Sequence, residues 1–188
     1  MTSVVGVLAL QGGFAAHVRL LCGLGTTVRE VRRCGDLDGL GALVLPGGES
    51  TAMLNLMAGE PWLDALRAFA ARGGALLGTC AGIILLAREV DPPQSSARLL
   101  DVVVARNAYG RQGDSFEAPV SIGGTDAPLR GVFIRAPRIR DVGPAASVIA
   151  RVGDAPVAVR QGGVVGITFH PELAGDDRMH RLLLDLAA

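Results

Sequence analysis

The feature that most restricts the fold is a series of short apolar runs, each halted by glycine. Residues 4–10 run into Gln11-Gly12-Gly13, residues 42–45 into Pro46-Gly47-Gly48, and residues 75–77 into Gly78. Runs this short and this continuously apolar suit strands buried on both faces. Between them lie stretches with helical spacing: residues 14–24, a helix capped by Ser50 or Thr51 and running to Met57, and a segment after Pro61 in which Trp62, Leu66 and Phe69 share a face. Residues 81–87 read as a further helix. Strand and helix in alternation build βα units, which place helices on a buried sheet. The expectation is an α/β fold: one three-layer domain over residues 1–188 with a mostly parallel central sheet flanked by helices.

The second half is richer in strands. Residues 28–31 belong to the first set, whereas residues 99–105, 116–120 and 131–135 read as strands of mixed direction. Residues 146–152, 157–161 and 164–169 look like a closing meander, and residues 91–96, rich in Pro, Gln and Ser, like a surface loop. A last helix carries Met179, Leu182, Leu183 and Leu186 at i, i+3, i+4 and i+7, with Asp176 and Asp177 suited to its N-terminus.

Composition narrows the function. Hydrophobic residues at 49% against 19% charged exclude a disordered chain. Lys plus Arg equals Asp plus Glu at 18 each, so no net field attracts nucleic acid or an acidic membrane, and neither partner is expected. The apolar runs are too short to span a bilayer. Three cysteines without paired spacing, after a start lacking a basic n-region and cleavage site, point to a reducing, cytoplasmic setting.

Of those cysteines, Cys80 stands apart. Gly78-Thr79-Cys80-Ala81-Gly82 lies between a strand and a helix, the G-x-nucleophile-x-G elbow with Cys at its centre. A strand that turns abruptly into a helix strains the central residue and crowds its neighbours, and glycine two positions either side relieves the crowding. The turn exposes the sulfur above helix amides that favour a thiolate, and places Ala81 N–H as an oxyanion donor. A buried structural cysteine is the competing reading. Cys22 and Cys34 have no comparable context.

Among three histidines, His17 and His180 fall in amphipathic helices beside Arg19 and Arg181 and are expected on solvent-exposed faces. His170 ends an apolar run, where α/β sheets place their sites, and Pro171 holds it extended, so that Glu172 points to the same side. Glu172 is then able to take the Nδ1 proton and leave Nε2 to face a nucleophile. His-x-Glu alone is also an ordinary surface loop; joined to the elbow it yields Cys–His–Glu. Pro46-Gly47-Gly48-Glu49-Ser50 has the backbone freedom for a second oxyanion donor, Gly48 N–H, and by itself reads equally as a turn or anion nest.

Leu8-Ala9-Leu10-Gln11-Gly12, Leu45-Pro46-Gly47-Gly48-Glu49-Ser50-Thr51 and Gly78-Thr79-Cys80-Ala81-Gly82 together resemble the class I (triad) glutamine amidotransferases. The branch most resembled is the glutaminase subunits of pyridoxal 5'-phosphate synthase, through Arg106 to Gln112, Asp114-Ser115-Phe116-Glu117, Phe133-Ile134-Arg135-Ala136-Pro137 and His170-Pro171-Glu172-Leu173. The resemblance covers essentially the whole chain. It implies the flavodoxin-like fold of that class, a Cys80–His170–Glu172 triad, and a glutamine pocket of Gly47, Gly48, Glu49, Arg106, Ile134 and Arg135. It also implies that Gln11 and Gly12 meet a lyase subunit in a large hetero-oligomer, to which ammonia passes for pyridoxal 5'-phosphate (vitamin B6) synthesis, with no metal or cofactor in this chain. Arg and Glu suit the carboxylate and ammonium of free glutamine. A glutaminase feeding a different acceptor, a stand-alone cysteine hydrolase or peptidase, and a non-catalytic scaffold are the rival readings. Two departures stand out: an apolar 12–17 turn, and Ile83 where many relatives carry Met.

Overall fold

In a computed structural model describing residues 4–106, 115–123 and 127–188, the glycine-stopped runs are strands. β1 (Val4–Leu8) leads to α1 (Phe14–Gly23) and β2 (Val28–Val31); a single 3-10 turn (Cys34–Leu37) joins β2 to β3 (Leu40–Leu45), and α2 (Ser50–Met57) and α3 (Trp62–Ala71) precede β4 (Ala75–Thr79). After β4 come α4 (Ala81–Leu86), β5 (Ala87–Asp91), β6 (Leu100–Ala105), β7 (Phe116–Ile122), β8 (Leu129–Phe133), β9 (Arg138–Val142), β10 (Ser147–Val152), β11 (Ala155–Gln161) and β12 (Val164–Ile167). α5 (Pro171–Ala174) and α6 (Arg178–Leu186) close the chain.

Nine strands form the main sheet in the order β2-β1-β3-β4-β12-β11-β10-β7-β8. The first five run parallel and the remaining pairings are antiparallel. The sheet is therefore mixed, where a mostly parallel one was expected. Its parallel half has the doubly wound order 2-1-3-4 with β12 in fifth place, and such sheets bind ligands beyond the strand C-termini at the switch of order, here between β1 and β3.

Both faces are covered, which explains the continuous apolar runs. Along β3, Leu43 and Leu45 enter one core with Met53 of α2, Phe69 of α3 and Ile83 of α4, whereas Ala42 and Val44 enter the other with Leu21 of α1 and Leu183 of α6. A second, three-stranded sheet, β5-β6-β9, was not expected. It extends the first core through Val90, Val102, Val104 and Ile139. The 91–96 loop is not purely superficial: it contains a cis Asp91–Pro92 bond and a buried Ser96 whose hydroxyl donates to the Ala87 carbonyl. The Asn107 to Gln112 and Asp114 part of the resemblance lies outside the described residues, as do Met1 to Ser3.

Candidate active site

The elbow is built as its spacing requires. Cys80 sits at φ 50°, in the left-handed region, between β4 and α4. Its N–H donates to the Ile167 carbonyl of β12 at 2.9 Å, which fixes the turn to the neighbouring strand. A Cβ on Gly82 would strike the Leu45 carbonyl, and one on Gly78 would come within 2.6 Å of the Gly82 backbone, so neither flank admits a side chain. Ala81 opens α4, and an N–H in the first helical turn has no intrahelical acceptor.

His170 follows β12 and is anchored by its own N–H, which donates to Val132 of β8 at 2.8 Å. Its Nδ1 lies 2.7 Å from Glu172 Oε1. The pair meets for a different reason from the one expected: Pro171 starts α5, and His170 is that helix's cap residue rather than part of an extended run. Burial disfavours the His170 imidazolium, but its hydrogen bonds to Cys80 and Glu172 outweigh this and push its pKa up to about 10. Burial likewise opposes ionisation of Glu172, whose pKa is nonetheless lowered, chiefly by the His170 hydrogen bond.

A cleft of about 570 Å³ opens above these residues. Its wall holds every residue proposed from the sequence: Cys80, His170 and Glu172; Gly48 and Ala81; Gly47, Glu49, Arg106, Ile134 and Arg135; and Gln11 with Gly12. Gly47 is packed against the triad so closely that a Cβ there would strike the His170 ring. The turn after β1 holds the glycine loop, since Gly13 N–H donates to the Gly47 carbonyl at 2.9 Å and Gln11 Oε1 accepts from Glu49 N–H at 2.9 Å. Glu49, not Ser50 or Thr51, caps α2, accepting from the amides of Thr51 at 3.1 Å and Ala52 at 2.7 Å. Arg106 donates to Thr51 Oγ1 at 2.8 Å and lies 3.6 Å from Glu49. Arg135, at φ 45°, and Ile134 follow β8, and the Ile134 carbonyl lies 3.9 Å from Cys80 Sγ.

The sequence reading missed residues behind the triad. His17 and His180, expected in solvent, are both fully buried. His17 Nδ1 is 2.8 Å from His180 Nε2, and His17 Nε2 is 3.3 Å from Thr79 Oγ1 and 3.5 Å from Glu172 Oε2. The missed signal is the helical face: His17 stands three residues after Phe14 and four before Leu21, and His180 three before Leu183. Among the described residues, no group of three or more His, Cys, Asp or Glu is placed to hold a metal ion, and no helix is long and apolar enough to cross a membrane.

A cysteine on a strand–helix elbow, with an imidazole just after the neighbouring strand and a carboxylate on the short helix that follows, is the arrangement of amidotransferase-like α/β proteins. Residues 7–186 match the model of the SNO glutamine amidotransferase family, and the chain belongs to that family. It is 56% identical over 189 residues to the pyridoxal 5'-phosphate synthase subunit PdxT of Deinococcus radiodurans, covering 97% of this chain and 96% of that one. It is 50% identical over 190 residues to the same-named subunit of Thermus thermophilus, covering 100% and 99%. A crystal structure of a glutamine amidotransferase superposes with a TM-score of 0.91 at 48% identity, over 97% of this chain and 98% of that one. The PurLQS structure from Thermotoga maritima, at 18% identity and a TM-score of 0.75, shares the fold.

Proposed function

We propose that this chain, as one glutaminase domain over residues 1–188, hydrolyses L-glutamine to L-glutamate and ammonia through a cysteine thioester. The ammonia passes to a lyase subunit that makes pyridoxal 5'-phosphate. The observation that carries the reading is the convergence of Cys80, the His170–Glu172 pair and Arg106 on one cleft, in a chain half-identical to synthase subunits along its whole length.

Cys80 sulfur attacks the side-chain carboxamide carbon, and the tetrahedral oxyanion is met by the N–H groups of Gly48 and Ala81. His170, protonated through its bonds to Cys80 and Glu172, gives its proton to the departing ammonia. It then removes one from the water that cleaves the γ-glutamyl thioester. Arg106 offers a guanidinium to the substrate α-carboxylate and Glu49 a carboxylate to its ammonium. These two lie 3.6 Å apart, so the substrate's charges compete with a contact between them. Gly47, Ile134 and Arg135 complete the pocket wall.

Gln11 and Gly12 form the face offered to the lyase in a large cytoplasmic hetero-oligomer. The hydrogen bonds from that turn to Gly47 and Glu49 support a glycine loop whose working geometry depends on docking. Rapid acid quenching of the chain with glutamine, followed by peptide mass analysis, tests the chemistry. A glutamyl adduct on the Cys80 peptide is expected. Glutamate release with no such adduct, under conditions where the wild type turns over, would contradict the thioester route.

A further inference from the structure

The carboxylate of Glu172 uses only one of its oxygens on His170. Its other oxygen, Oε2, is buried and accepts no hydrogen bond from the described residues. The nearest donor candidate is His17 Nε2, 3.5 Å away, longer than a formed N–H···O hydrogen bond and close enough to become one with a small shift. His17 comes from α1, which packs on α5, and His180 from α6, which packs on β4; both imidazoles are fully buried and bonded to each other. A pair of buried imidazoles is a costly way to fill space.

Proton placement follows from the neighbours. An ionised carboxylate only accepts hydrogen bonds, so the ring nitrogen facing it must carry hydrogen. His17 is then the Nε2–H tautomer, with the proton directed between Glu172 Oε2 and Thr79 Oγ1. Its Nδ1 is an acceptor, and His180 must donate through Nε2. That leaves His180 Nδ1 as a bare lone pair, and this atom has no partner. The opposite assignment would bury an unpaired N–H there and turn a lone pair of His17 towards the carboxylate, both unfavourable. Burial keeps both rings neutral, lowering the pKa of His17 to about 4 and of His180 to about 3. The charged or titratable groups facing them are Glu172 and His170 for His17, and His17, Glu172, Asp176 and Asp177 for His180.

We infer that His17 is a positioning residue of the triad: its Nε2–H holds the free oxygen of Glu172, and His180 fixes the tautomer that makes this possible. The inference rests on the proposed Cys80–His170–Glu172 triad. A carboxylate bonded to His170 through one oxygen and faced by the His17 N–H at the other keeps the His170 imidazole in one tautomer and orientation throughout turnover, which is what the orienting acid of a triad supplies.

Two experiments test it. Nitrogen-15 histidine spectra of the full chain are expected to show both His17 and His180 neutral at pH 7, protonated at Nε2 and not at Nδ1. A proton on His17 Nδ1 would overturn the assignment whatever the activity. In the second, glutamine hydrolysis is measured with the lyase subunit present. His17→Phe fills the space without a donor and is expected to lower kcat roughly 10- to 100-fold, with KM within about twofold. The acid limb of its pH profile is expected to move upward as ionised Glu172 loses a donor. His17→Gln, whose amide places a nitrogen near the Nε2 position, is expected to recover most of the loss. A folded His17→Phe with wild-type kcat and an unmoved acid limb, or a His17→Gln as impaired as the Phe variant, would overturn the positioning role. A wild-type chain that releases no glutamate overturns the proposed function instead, and the spectra still decide the hydrogen bonding.

Discussion

At the residue scale, the site is a set of exclusions as much as a set of groups. Gly47 lies where any side chain meets the His170 ring. Gly47→Ala is therefore expected to displace the imidazole and to lower kcat on the order of a hundredfold, with a circular dichroism spectrum unchanged. Arg106→Ala should act on binding: loss of a charge-assisted contact to the substrate carboxylate is expected to raise KM roughly tenfold or more, read from steady-state kinetics. The backbone setting of Cys80 was legible from its flanking glycines and that of His170 from the end of an apolar run, whereas Pro171, read as extending His170, opens α5 instead. His17 and His180 were not legible, because each stands beside an arginine, and single neighbours say little about which way a helical residue points. Their spacing from Phe14, Leu21 and Leu183 carried the information, and burial of that stripe is what the packed helices show.

At the element scale, helix ends do more than stop helices. Glu49 holds the first turn of α2 through the amides of Thr51 and Ala52 while its own N–H is held by Gln11. Those amides and Arg106 outweigh burial and keep its carboxyl below the usual range. Glu49→Ala is expected to cost about 1 kcal/mol of stability, seen as a lower urea midpoint at unchanged slope. The cap was misread as Ser50 or Thr51 because hydroxyls are common caps, and a carboxylate one residue earlier competes for the same amides. The unforeseen strands have physical reasons too. β5 follows α4 with no connecting residue, and β9, Arg-Ile-Arg-Asp-Val, is charged and buries only Ile139. Its pairing to β6 is a backbone matter, supported by Arg88, which bridges Asp101 and Asp141. Period-two apolar patterns do not report such strands.

At the scale of the whole molecule, the parallel half of the sheet was readable from its glycine-stopped runs, whereas the antiparallel extension was seen as strands without an order, since pairing partners far apart in sequence leave no local trace. The buried histidine pair also gives the molecule a pH dependence. His17 and His180 titrate near 4 and 3 when folded and near 6.5 when unfolded. Between these values the unfolded chain binds more protons, so the pair's contribution to stability is intact above about pH 6.5 and falls as the pH drops, by about 1.4 kcal/mol per unit for each group. Tm is expected to decline from pH 6.5 to 5, above the range where carboxylates of the unfolded chain protonate, and a folded His17→Leu/His180→Leu chain should show a flatter decline. The central claim, a partner-gated glutaminase, meets its most direct test in glutamate release from glutamine by the purified chain, alone and mixed with the lyase subunit, with Cys80→Ala as control. The account predicts release that rises on mixing and vanishes in the Cys80→Ala chain; no release in either case, with both proteins folded, would contradict it.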